Sequence, residues 1–407
     1  MKLIFVGLMY NPFDKELIKT KTINGFQESA DTFQWSFING LIKNNYFDDI
    51  KIFNIVPTGT YPMNYKEVLT KSKKWSYLNF SCFQIGCINF PIVKQLHRYF
   101  VLKGSIKKEL KQNIKNDKYH IVFYSLYPIF VSLAKYIKKK YPKISISVIV
   151  PDLPSKFGII PKSPIKRILS NIEGRYVISN IELFDINVLL TKHMLVPLQI
   201  RHQSYVIIEG LFDPLITNSE LKSDNSEKNA ILYSGSLNKE FGLYNLIEAF
   251  KLIDKTNIEL WICGSGDCEE YIIEASKTDT RIKFFGQINR NDLITMQSNA
   301  FMLVNPRSNN NEYVKYSFPS KTMEYIYSGR PSIMHKLSCL PDEYFEHLYF
   351  FENDNLESIK EGITKLLQMD SSKLYQQGLR NRYWILENKS SEKQTKKLID
   401  LIEKVKK

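Results

Sequence analysis

The residues best suited to chemistry cluster between Asn305 and Pro331, in the stretch NPRSNNNEYVKYSFPSKTMEYIYSGRP. An apolar run, Phe301–Val304, ends in Asn-Pro and gives way to a polar, aromatic loop. A helix is expected to open around Pro319–Ser320 and to close before Gly329 and Pro331, since Pro in the first turn and Gly just past the end is the usual asymmetry of helix termini. Lys321 falls in the first turn, where a cation opposes the helix dipole at a cost of about 0.3–1 kcal/mol. That placement makes sense if an anion occupies the helix end, held by free backbone N–H groups, the Ser320 hydroxyl and the Lys321 ammonium. Glu324 follows three residues later on the same face, and a carboxylate there can accept both hydroxyls of a ribose. The plainer reading is a Lys321–Glu324 surface ion pair.

Two glycine turns accompany this stretch. In Tyr233-Ser-Gly-Ser-Leu-Asn-Lys-Glu-Phe-Gly242, the small residues Gly235 and Ser236 follow a strand and let the backbone approach a phosphate. In Cys263-Gly-Ser-Gly-Asp267, Gly264 and Gly266 stand at a strand end, where a tight turn is the default explanation. The full Gly-x-Gly-x-x-Gly pattern is absent, because Glu269 occupies its last place. No Walker pattern is present, which argues against an ATPase. Earlier in the chain, VIVPDLP sets Asp152 just past a strand's carboxyl end, where doubly wound sheets place ligands. Asp152 can bind an acceptor or assist its deprotonation, or simply cap a turn before Pro154. His120 and His193 sit in or beside apolar stretches and read as structural, and no Ser-His-Asp arrangement is visible. Cys263 and Cys268 have neither Cys-x2-Cys spacing nor a His cluster, so no metal site is expected.

These residues must be carried by elements, and the elements are regular. Short apolar runs, among them Lys2–Gly7, Asp49–Val56, Phe83–Phe90, Ser145–Asp152, Ile231–Gly235 and Ile258–Gly264, alternate with helical stretches such as Glu28–Lys43 and Leu243–Ile253. Such alternation predicts parallel sheets covered by helices. A chain of 407 residues fits two domains of roughly 200 residues. The expected fold class is therefore α/β, with two Rossmann-like doubly wound parallel-sheet domains facing a cleft. The expected boundaries are an acceptor-binding domain over 1–212, a linker over 213–229 marked by Pro214 and the polar run Thr217–Asn229, and a nucleotide-binding domain over 230–388. The tail, 389–407, reads as an amphipathic helix with Leu398, Ile399, Leu401 and Ile402 on its apolar face, packing back on the first domain.

Composition narrows the setting. Hydrophobic residues make up 43% and charged residues 24%, as in soluble globular proteins, and no apolar run approaches the roughly 18 residues that span a bilayer. The opening MKLIFVGLMYNP reads as a buried first strand rather than a signal peptide. Five cysteines without a regular framework suit a reducing compartment, so a cytoplasmic protein is expected. The net charge is +14, concentrated at Lys66, Lys71, Lys73 and Lys74, from Lys103 to Lys118 and from Lys135 to Lys143. Such a surface attracts anions. Nucleic acid is not expected, because no helix-turn-helix, zinc-knuckle or RNP-type motif accompanies the charge. An anionic membrane surface is the better partner, with SIKKELKQNIKN and YPIFVSLAKYIKKK as peripheral helices on the inner face of the membrane. Merely solvated lysine faces are the bland account.

The order Gly235-Ser-Leu…Phe-Gly242, Gly264-Ser-Gly266, Phe285-Gly286, SFPSKTMEYIYSGRP resembles the C-terminal domain of glycosyltransferase family 4, of GT-B architecture, over about Ile231–Phe351. The N-terminal half is similar in layout, in GFQESADTFQWSFINGL and in VIVPDLP, and by that likeness Gly7, Gln27 and Gln34 line the acceptor side. More narrowly, the chain resembles bacterial enzymes that build capsule, O-antigen or exopolysaccharide units on a lipid carrier. The resemblance implies a UDP- or GDP-type nucleotide sugar as co-substrate, no tightly bound cofactor, a lipid-linked or oligosaccharide acceptor, retention of configuration and no metal requirement. It implies Glu324 as the ribose ligand. The family's partner glutamate falls on Tyr316, and the places of its phosphate-binding Arg and Lys hold Ser236 and Phe241. Lys321, Lys239 and Arg307 are the nearest replacement cations. Glu312 either replaces the missing carboxylate or is an exposed loop charge. Two alternatives stay open, a sugar-nucleotide epimerase of the same layout and an inactive relative serving as an assembly subunit.

Overall fold

The computed structural model describes residues 1–91, 93–113, 117–154, 163–213 and 229–405. All but the two ends of the expected linker, and the last three residues of SIKKELKQNIKN, lie outside the described residues. The chain divides into two units, Met1–Leu211 with Ser391–Lys407, and Phe212–Ser390.

The first unit is built from β1 (Lys2–Gly7), α1 (Lys15–Lys21), α2 (Glu28–Lys43), β2 (Asp49–Ile55), β3 (Leu69–Thr70), β4 (Lys73–Tyr77), β5 (Phe80–Ile85), β6 (Cys87–Ile88), α3 (Val93–Asn113), β7 (Tyr119–Tyr124), α4 (Pro128–Lys140), β8 (Ser145–Val150), α5 (Pro164–Ile178), β9 (Ile186–Leu189) and β10 (Ser204–Ile207). An eight-stranded sheet runs β10-β9-β8-β7-β1-β2-β5-β4. Its pairings are parallel except β4 with β5, which is antiparallel. β1 and β7 are apolar along most of their length because both sheet faces are covered. Chain order reverses between β1 and β7, so the carboxyl ends of these strands frame a crevice where such sheets hold ligands.

Two expectations about this unit need correction. The run Phe83–Phe90 is not one strand: it breaks at Gly86, which lies so close to the Thr70 carbonyl that a Cβ would stand 2.3 Å from it, and the chain turns away to pair with β3. The lysine-flanked segments do not lay their apolar residues on the surface either. Ile106 and Leu110 of α3 and Ile129, Phe130, Leu133 and Ile137 of α4 are buried.

The second unit comprises β11 (Asn229–Ser234), α6 (Leu243–Lys251), β12 (Ile258–Cys263), α7 (Glu269–Thr278), β13 (Ile282–Gly286), α8 (Arg290–Asn299), β14 (Met302–Asn305), α9 (Lys321–Ser328), β15 (Ser332–Met334), β16 (Tyr349–Phe350), α10 (Leu356–Leu367) and α11 (Ser371–Lys389). Its sheet, β13-β12-β11-β14-β15-β16, is parallel throughout and reverses direction between β11 and β14. Ile231, Tyr233, Leu246, Phe250, Ile262 and Val304 share one buried cluster, so α6 is seated by the strands it connects. The last helix, α12 (Ser391–Val405), belongs to the first unit. There Leu398, Ile399 and Ile402 are fully buried among Leu3, Phe37 and Leu41, each contributing about 1.5–3 kcal/mol. Gly40 of α2 admits it, since a Cβ there would stand 2.3 Å from the Ser391 carbonyl. Among the described residues no helix is long and apolar enough to cross a membrane.

Candidate active site

The switch point of the second unit brings three strand ends together through glycine. The Gly235 N–H donates to the Cys263 carbonyl at 2.8 Å, and the Gly264 N–H to the Gly286 carbonyl at 2.8 Å. A Cβ on Gly264 would lie 1.7 Å from the Gly235 oxygen, and one on Gly266 would meet the Leu237 backbone at 2.6 Å. Gly264 and Gly266 therefore serve strand-end packing. Gly235 shares their positive φ, at +143°, but differs in its neighbour: a Cβ there would lie 1.2 Å from Lys321 Nζ. The lysine side chain occupies the space that any other residue at 235 would take.

α9 presents that lysine. It begins at Lys321, with Pro319 just outside, a small correction to the expected start, and it closes on Gly329 at φ +74°. The Ser320 side chain makes no cap bond, and among the described residues the N–H groups of Ser320 and Lys321 find no acceptor. One turn deeper, the buried Tyr325 hydroxyl accepts the Ser234 N–H at 3.0 Å, pinning the helix to the end of β11.

The charges around this helix end are unbalanced. Glu324 pairs with Arg290, at 3.4 Å, and not with Lys321, so the simple Lys321–Glu324 surface pair is overturned. The half-buried Lys321 ammonium lies 5.1 Å from the centre of the Tyr233 ring and has no ion pair among the described residues. Burial pushes it down to about 8; the nearby Glu324 opposes that shift and Arg307 adds to it. Arg307 follows β14, sandwiched between the rings of Phe241 at 5.4 Å and Tyr313 at 5.5 Å. It donates to Ser317 Oγ at 2.9 Å, and its Nε is buried without a partner. Two cations that feel each other, one at a helix N-terminus and neither ion-paired with a carboxylate among the described residues, are an arrangement able to hold an anion. Burial likewise raises the Glu324 carboxyl, against the pull of Arg290 and Lys321.

The remaining candidates are spread more widely. Ser236 is exposed at the same turn, and its carbonyl accepts the Tyr233 hydroxyl at 2.7 Å. Lys239 is exposed, its backbone N–H bonded to Asp267 Oδ1 at 2.8 Å. Tyr316 is half-buried beneath the Lys315 ammonium. Glu312 is an exposed carboxylate opening a short 3-10 helix, Glu312–Tyr316, bonded to Lys315 at 2.7 Å and held below its usual range by that lysine. Asp152 belongs to the first unit. Its side chain is solvent-accessible, yet the protein around it raises its carboxyl. Gln34 is not a lining residue: it is fully buried, accepting the Leu8 N–H at 2.8 Å and donating to the Leu8 carbonyl at 2.7 Å. Sequence reasoning missed Arg290, Tyr325 and Gln297, whose amide donates to Ser234 Oγ at 3.4 Å, as neighbours of this helix end. Only Tyr325 left a signal, as the Tyr of the Met-Glu-Tyr within the helix.

Residues 217–384 match the family of glycosyl transferases group 1. No curated protein matches the sequence. Among solved structures, the chain is similar to a sucrose-phosphate synthase from Thermosynechococcus elongatus, with 13% identity, 100% of this chain and 99% of that one covered, and a TM-score of 0.64. A structure titled trehalose-6-phosphate from E. coli bound with UDP-2-fluoro glucose gives 11%, 100% and 99%, and 0.66. The lipopolysaccharide outer core galactosyltransferase WaaB gives 13%, 99% and 99%, and 0.62. At these identities the likeness shows the fold, two parallel-sheet α/β domains of the GT-B kind.

Proposed function

We propose, for this glycosyltransferase with its group 1 domain in the C-terminal unit, that it moves a sugar from a UDP- or GDP-type donor to a hydroxyl of a lipid-linked saccharide. The observation that carries the reading is the uncompensated cation pair at the start of α9: Lys321 laid across Gly235, and Arg307 with a partnerless Nε. A nucleoside diphosphate leaving group gains negative charge as the glycosidic bond to it breaks. Lys321, Arg307 and the free N–H groups of Ser320 and Lys321 stabilise that charge without reorganising. Glu324, oriented by Arg290, accepts the ribose hydroxyls. Ser236 and Lys239 flank the diphosphate, and Asp152 of the first unit binds the acceptor hydroxyl. Retention and independence of metal are what the family likeness implies.

A lipid-linked acceptor calls for a membrane-facing surface. Val93, Leu96 and Phe100 of α3 and Ile168, Leu169 and Ile172 of α5 are exposed large apolar side chains. Exposed Lys107, Lys108 and Lys111 continue α3, which suits a peripheral contact with anionic lipid. The reaction is tested by assaying sugar transfer from UDP- and GDP-sugars to polyprenyl-diphosphate-linked saccharides. Lys321→Ala and Glu324→Ala should each lower turnover, the former by about 10²–10³-fold. Wild-type transfer by both variants would remove the site assignment.

A further inference from the structure

The first unit holds a second pair of buried cations that the transfer scheme does not use. A cavity of about 540 Å³ opens where Leu8 follows β1 and Pro57 follows β2, beside Tyr127 after β7. This is the crevice at the switch point of that sheet. Its walls include Lys94 and Arg98, one helical turn apart on α3, with Gln27, Asn64, Gln95 and Tyr127, and among the described residues no aspartate or glutamate lines it. Lys94 is 5% exposed and Arg98 4%. Lys94 donates to the Thr58 and Gly59 carbonyls, and Arg98 donates to the Val56 carbonyl at 2.7 Å. The Arg98 Nε is buried with no partner. Burial and the neighbouring Arg98 both disfavour the Lys94 ammonium, and among the described residues no carboxylate offsets them.

Arg98 also donates to the Thr58 hydroxyl at 3.4 Å. Two adjacent buried cations met only by neutral groups are expensive unless an anion completes them. The space is far larger than a lone ion needs, and its other walls, beside Leu8 and two prolines, carry amides, threonines and a phenol, groups that recognise hydroxyls. We infer that this cavity binds a phosphoryl group attached to a sugar, with Lys94 and Arg98 on the phosphoryl oxygens and the neutral side chains on the sugar. A carboxylate would neutralise only one of the two cations; a phosphoryl dianion meets both. The inference rests on the proposed transfer in taking this ligand as the acceptor. It narrows the acceptor class to saccharides carrying phosphate or diphosphate close to the sugar that is read.

The test is thermal shift and calorimetry on the full chain. The probes are glucose, glucose 1-phosphate, and a polyprenyl diphosphate glucose in detergent micelles, with UDP titrated separately. Glucose 1-phosphate should stabilise the wild type and Lys321→Ala alike, glucose should not, and Arg98→Gln should weaken the sugar phosphate at least tenfold while leaving UDP binding intact. Gln27→Trp, which fills the cavity from its exposed side, should do the same and serves if Arg98→Gln does not fold. Tighter binding of the micellar probe than of glucose 1-phosphate identifies the lipid diphosphate as the source; the reverse identifies a soluble sugar phosphate. Sugar-phosphate affinity within twofold of wild type in Arg98→Gln or in Gln27→Trp overturns the inference, as does binding of neither phosphorylated probe. Failure of the wild type to bind either UDP or GDP, titrated separately, overturns the donor reading and leaves this one standing.

Discussion

The surroundings of Lys321 make its ammonium easier to deprotonate, and an anion is held by the charged form. Burial first, with Arg307 adding to it, brings the ammonium down to about 8 from an ordinary 10.5. Nucleoside diphosphate affinity should therefore fall about tenfold per pH unit above about 8 and be nearly flat below it. Calorimetric titrations of UDP and GDP between pH 7 and 9.5 read this directly, and a slope that persists in Lys321→Met would assign it elsewhere. Folding responds with the opposite sign. The lowered folded-state value means the unfolded chain holds the extra proton between about 8 and 10.5, so the penalty from Lys321 is present at neutral pH and relieved across that window. Glu324 acts on a different part of the ligand. Its replacement by Ala should cost UDP binding about 1.5–3 kcal/mol, the worth of hydrogen bonds to a charged group, while inorganic pyrophosphate binds as before. Equal losses for both ligands would show that Glu324 acts on the phosphate end and not on the ribose.

At the scale of elements, the site depends on how α9 is fixed to β11. Tyr325→Phe removes the hydroxyl that accepts the buried Ser234 N–H. It should destabilise the chain by about 1–3 kcal/mol, the cost of an orphaned buried donor, and weaken UDP with it. Denaturant unfolding and calorimetry on one variant check the pair, and an unchanged stability would mean the helix is held by packing alone. The same elements show what could be read from sequence. Short apolar runs such as Lys2–Gly7 and Ile258–Cys263 announce parallel strands because burial on both faces demands it, and the parallel α/β class follows from their alternation with helices. β4 escaped because Lys73, Lys74 and Ser76 are exposed on an edge strand, which needs little apolar pattern. In the site, Lys321 stood out because a cation in the first turn is locally costly. The Arg290–Glu324 pair could not stand out, being made across 34 residues by two different helices, and the closeness of Gly235 to Lys321 is likewise a tertiary fact.

For the whole molecule, α12 belongs to the first unit, and a net positive charge favours anionic partners. Replacing Gly40 with Val would drive a side chain into the Ser391 carbonyl that now sits against it. Overpacking of about 1–3 kcal/mol is expected, seen as a lowered melting temperature; an unchanged one would show that α12 does not depend on this contact. A net charge of +14 together with the exposed Leu96 and Phe100 predicts cosedimentation with vesicles containing phosphatidylglycerol, weakened by salt and by Leu96→Glu with Phe100→Glu. Equal recovery with purely zwitterionic vesicles would contradict it. The central claim concerns the start of α9, and the most direct measurement is the crystal structure of the full chain with UDP or GDP bound. The diphosphate should lie within hydrogen-bonding distance of Lys321 Nζ and the Ser320 N–H, with the ribose hydroxyls on Glu324. A nucleotide bound elsewhere, or one whose diphosphate turns away from Lys321, would contradict the account.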